Sequence, residues 1–103
     1  MEYTEGDKEI VLKEYEKVIK ILKIDKTIFQ FKINDTDNQL KIIELYRKLA
    51  AQIGFDKEIL IHWLKTPNRD FSIDNEPTAP LDIIVTLEGL EYVIEYLNVF
   101  LMR

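Results

Sequence analysis

The chain has 103 residues, a size at which one hydrophobic core is the rule and a second domain has no room. With 47% hydrophobic and 32% charged residues it should fold, and without a single cysteine it excludes a disulfide framework, a thiolate metal site and a cysteine nucleophile. A net charge of -5 disfavours a general phosphate-binding surface. That charge is unevenly placed: residues 1–33 and 34–66 are each neutral, whereas residues 67–103 set Arg69 and Arg103 against seven carboxylates and carry the whole excess.

In chain order, Asp7 is a plausible N-cap for a first helix over 8–23, where Val11, Tyr15, Val18 and Leu22 repeat at intervals of 4, 3 and 4. Asp25 caps a second short element, 26–33, which reads as a helix although Phe29, Phe31 and Ile33 also alternate as a strand would. Thr36 with Gln39 forms a capping-box pattern before a third helix that runs to Ile53, and Gly54 stands where a left-handed C-terminal cap belongs. Asp56 starts a fourth helix carrying Ile59, Leu60, Trp63 and Leu64, which must end before Pro67. The stretch from Thr66 to Ala79 reads as an irregular but ordered connector. Pro80 opens a short helix, 81–85, and Thr86 caps a last one, 87–101. The expected fold is an all-α compact bundle of five or six helices.

Signatures of catalysis are weak. His62 is the only histidine and lies between Ile61 and Trp63, where a core-edge position explains it better than a catalytic role. Asp70, Ser72, Asp74 and Glu76 alternate as calcium ligands do, but Asn75 and Leu81 stand where such a loop needs glycine and a bidentate glutamate. No cofactor, metal set or phosphate loop is expected. Met1 to Asp7 is acidic rather than a basic stretch leading into an apolar run, and no apolar run approaches the roughly 20 residues of a membrane span, so a cytoplasmic location away from membranes is expected.

The last helix stands apart. Projected at about 100° per residue, Leu90, Val93, Ile94, Leu97 and Leu101 form a core stripe, with Glu88, Glu91 and Glu95 opposite. Tyr92, Tyr96 and Val99 fall beside the glutamates, where a monomer would place polar groups. Tyrosine offers a large rigid area with a polar tip, so this mixture reads as a contact surface. The reading that another helix of the same chain covers these residues stands beside it.

From Trp63 onward the chain resembles a known family. Trp63-Leu64, Thr66-Pro67-Asn68 and Phe71 are followed by Pro80-Leu81-Asp82 and then by Thr86, Gly89, Val93 and Leu97. This W-L-x-T-P-N, P-L-D, T-x-x-G-x-x-x-V-x-x-x-L pattern is similar to the Xre/MbcA/ParS-like antitoxin toxin-binding domain. Most of these positions suit architecture: a helix stop, two helix starts, and a mid-helix glycine that points to close packing.

The resemblance implies an antitoxin of a type II toxin–antitoxin pair, not itself an enzyme, whose partner is a RES-domain toxin that consumes NAD. Residues 37–103 would be the toxin-binding region, and 1–36 the N-terminal helices, in which fuller members carry an autorepressing helix-turn-helix. Here the would-be recognition helix presents Asp25, Lys26, Thr27, Gln30 and Lys32 beside Phe29 and Phe31, a poor set for reading base edges, so DNA binding is the alternative rather than the first expectation. An unrelated helical adaptor is the third reading, and a homodimer through the first helix is compatible with all three. The expected toxin-facing residues are Glu91, Tyr92, Glu95, Tyr96, Val99, Phe100 and Arg103. Two departures from the family pattern are the longer, glycine-free stretch Ser72 to Ala79 and the short tail ending at Arg103.

Overall fold

The computed structural model describes residues 2–101, with the side chains of Phe100 and Leu101 excepted. Helix α1 (Glu5–Leu22) is followed by a single 3-10 turn (Lys26–Ile28), then α2 (Thr36–Ile53), α3 (Lys57–Lys65), strands β1 (Asn68–Ile73) and β2 (Glu76–Thr78), α4 (Pro80–Ile83) and α5 (Leu87–Leu101). The bundle is therefore mostly helical but not all-α, because the connector before Pro80 is a β-hairpin. No described helix is long and apolar enough to cross a membrane.

Helix starts follow their caps, with two shifts from expectation. Thr4, not Asp7, caps α1; Asp7 is the third residue of a capping box, in which the Asp7 amide donates to Thr4 Oγ1 at 3.0 Å and the Thr4 amide donates back to Asp7. Asp35, not Thr36, caps α2 through the Asp37 amide at 2.9 Å. Asp25 and Asp56 cap as expected. The hydroxyl and amide of Thr27 hydrogen-bond the Asp25 carboxylate and hold its pKa below the usual range. Helix α1 ends with Lys23 in the left-handed region (φ 52°), where the Ile24 amide donates to the Ile19 carbonyl and Ile24 turns into the core.

The expected helix over 26–33 does not form beyond its first turn. The Gln30 amide donates instead to the Val85 carbonyl at 2.7 Å, Phe29 is buried, and Phe29 and Phe31 pack 5.4 Å apart. Tertiary contacts thus override a helical pattern that was ambiguous from the start, and the recognition helix of a helix-turn-helix over 1–36 is missing with it.

Helix α2 is the spine. It packs α1 on one side and α5 on the other, and its Ile42, Leu45 and Leu49 are fully buried between them. Polar ties fix the α5 side: Lys41 Nζ pairs with Glu91 at 2.6 Å, Lys48 Nζ donates to Asn98, and Gln52 donates to the Leu97 carbonyl at 3.2 Å. On the α1 side Tyr3 donates its hydroxyl to Asp37, a bond that raises the pKa of the phenol. Leu22, Leu60, Leu64, Phe71, Ile84, Leu90 and Val93 complete one continuous core. The expected core-edge His62 is exposed on the outer side of α3, so that expectation is corrected.

Candidate interaction surface on the last helix

The hairpin explains how the surface is built. Asp74 and Asn75 form its two-residue turn, both with positive φ (52° and 66°), which is the backbone that a type I′ hairpin turn requires and that Asp and Asn tolerate. Asn68 pairs with Thr78 and Ser72 with Pro77, so Arg69, Asp70 and Phe71 bulge out of the ladder. An Asx turn, with the Asp70 amide donating to Asn68 Oδ1 at 2.9 Å, starts that bulge, and the Ser72 hydroxyl donates to the Arg69 carbonyl at 2.8 Å. The bulge turns Phe71 inward, where it is 2% exposed and meets three rings edge-on: Trp63 at 5.9 Å, Tyr92 at 5.9 Å and Tyr96 at 4.8 Å.

Beneath the hairpin, α4 and α5 meet without space. A Cβ built on Gly89 would lie 1.8 Å from the Ile83 carbonyl oxygen, so the glycine is fixed by contact with backbone rather than by conformational freedom. Thr86 Oγ1 accepts from the Gly89 amide at 3.0 Å as the N-cap of α5, and Pro80 is buried at the first turn of α4. The Thr66 hydroxyl donates to the His62 carbonyl at 2.6 Å where α3 stops. Leu64 is buried and Trp63 and Leu81 are partly so, while Pro67 and Asp82 are exposed. Most residues of the sequence motif thus hold the corner formed by α3, the hairpin, α4 and α5.

The residues expected to face a toxin separate into three groups. Glu91 turns toward α2 and its carboxylate pairs with Lys41. Tyr96 lies under the hairpin, its ring on Phe71 and its hydroxyl donating to Asp70 Oδ2 at 2.6 Å, so its expected place among free surface residues is corrected: another part of the chain covers it. Tyr92, Glu95 and Val99 remain on the open side, Tyr92 57% and Val99 50% exposed. Glu88, which sequence reasoning left out of the site, stands with them at intervals of 4, 3 and 4. The helical projection already carried that signal. Arg103 lies outside the described residues, as does the side chain of Phe100.

The open stripe of α5 is thus Glu88, Tyr92, Glu95 and Val99: two carboxylates alternating with an aromatic and an aliphatic side chain. It offers large apolar area flanked by negative charge and no nucleophile–base pair. Among the described residues no group of three His, Asp or Glu side chains is gathered as a metal ion would require. No protein-family model matches the chain, and no curated protein is significantly similar to it.

Proposed function

We propose that this chain is the antitoxin of a type II toxin–antitoxin pair, a binding module that neutralises a RES-domain, NAD-consuming toxin through the open stripe of α5. The observation that carries this reading is that stripe: Tyr92 and Val99 stay more than half or half exposed in line with Glu88 and Glu95, although the hairpin covers Tyr96 on one flank and Lys41 of α2 engages Glu91 on the other. Exposed aromatic area framed by charge is the composition of binding hot spots. The family resemblance supports the same reading, because its residues do structural work around the corner that presents α5. Charge supports it too. A toxin that uses a polyanionic dinucleotide needs a basic pocket rim, and residues 67–103 carry the chain's entire net charge of -5.

The test is co-expression with the RES-domain protein encoded beside this chain's gene. Restored growth and a stable complex on co-purification are the expected results. Absence of any RES-type neighbour, or a toxin that remains active in the presence of the folded chain, would reject the proposal.

A further inference from the structure

Helix α1 buries Tyr15, Val18 and Leu22 against α2 and, over a shorter length, α3. On its outer side Gly6, Ile10, Lys13 and Lys17 follow at intervals of 4, 3 and 4, so they share one face, and all four are exposed. Ile10 is 70% exposed. The isolated chain forgoes most of the stabilisation that burying this side chain would give.

Charge is also ordered along this helix. Residues 2–12 hold Glu2, Glu5, Asp7 and Glu9 against Lys8, net -3, whereas residues 13–26 hold five lysines against Glu14, Glu16 and Asp25, net +2. Acids at a helix start and bases at its end answer the helix dipole, but that effect fades within the terminal turns. It accounts for Glu5, Asp7 and Lys20 but does not reach Lys13 and Lys17, which lie mid-helix on the Ile10 face.

We propose that this face is occupied by a second copy of the chain, two α1 helices pairing antiparallel about a two-fold axis near residues 11 and 12. A parallel pair would set acid on acid. The antiparallel pair sets the acidic half of each helix on the basic half of the other, and being isologous it closes at a dimer. In that register Ile10 lies across from Lys13 of the second copy and within one turn of its Ile10. Gly6 lies across from Lys17, where a missing side chain leaves room for the lysine stem, and the two ammonium groups reach the flanking Glu5 and Glu9. The apolar centre with a charged rim follows coiled-coil practice.

The experiment is sedimentation equilibrium of the full chain from micromolar to millimolar concentration. The wild type should dimerise, and about 1 M salt should weaken the dimer about tenfold relative to about 20 mM. An acidic variant, Lys13→Glu with Lys17→Glu, and a basic variant, Glu5→Lys with Glu9→Lys, should each be monomeric, yet form a heterodimer when mixed in equal amounts. Ile10→Asn should abolish pairing with the helical circular dichroism unchanged. A wild type monomeric throughout, a dimer that survives Ile10→Asn, or variants that stay monomeric when mixed would overturn the proposal. None of these positions lies on α5, so toxin binding is read separately.

Discussion

Helices α1 and α5 are the two amphipathic arms on either side of α2, and they are held in different ways. Helix α5 is gripped on three sides: Glu91 and Asn98 are tied to α2, Gly89 is pressed on the Ile83 carbonyl, and Tyr92 and Tyr96 sit against Phe71 of the hairpin. Helix α1 buries three residues along one face, and among the described residues nothing comparable braces the other. The difference teaches that a side chain left open has different meaning on the two helices. On α5 the open stripe is what remains between a flank covered by the hairpin and a flank tied to α2, so it is presented rigidly; on α1 it is one side of a helix held from the other.

The comparison breaks if the corner around α5 is not what makes it rigid. Phe71→Ala removes a fully buried ring with three aromatic neighbours and should cost about 4 kcal/mol, the largest effect of the set. Trp63→Ala should cost less, because the indole is only partly buried. Thermal and urea denaturation measure both, and equal losses would mean that Phe71 is not the centre of the cluster. Gly89→Ala should cost about 3 kcal/mol, since the new methyl group can be accommodated only by moving α5 off the Ile83 carbonyl. A substitution on the flank of α1, such as Leu12→Ala at a side chain 40% exposed, should shift the melting temperature less by contrast.

The open stripe is sharpened by binding measurements. Tyr92→Ala should weaken affinity for the proposed toxin by about 2 kcal/mol, roughly thirtyfold, while Glu91→Ala, whose carboxylate is engaged by Lys41, should change it far less. Isothermal titration distinguishes them. The opposite ranking would put the interface on the α2 side of the helix.

Much of this architecture was legible in the sequence, for identifiable reasons. Caps at Asp25, Asp56 and Thr86, the Pro80 start and the Leu90, Val93, Ile94, Leu97 stripe are local signals, written within one or two turns. The two misread segments depend on distant partners. Residues 29–33 run through bends into a turn instead of a helix, and the Gln30 amide goes to Val85, more than fifty positions away. The hairpin was hidden by Pro67 and Pro77 and by the absence of glycine, yet Asp74-Asn75, two residues tolerant of positive φ, was its one local sign. Missing the hairpin also misplaced Tyr96: the helical projection put it correctly off the core stripe, but only the hairpin supplies the surface that covers it.

The contacts of Tyr96 include a ring set edge-on against Phe71 and a hydroxyl donating to Asp70. Tyr96→Phe keeps the ring and removes the donor. A hydrogen bond to a carboxylate near the surface contributes about 1 kcal/mol net, so the variant should lose about that much stability. Asp70→Asn keeps an acceptor but removes its charge and should lose less. Because Tyr96 belongs to the corner and not to the open stripe, Tyr96→Phe should leave toxin affinity within twofold of wild type even as the hairpin loosens, which faster amide exchange at Ser72 and Ile73 would report. A loss of affinity as large as that of Tyr92→Ala, without any change in hairpin exchange, would show that the Tyr96 hydroxyl touches the partner and that the hairpin covers it only until the partner arrives.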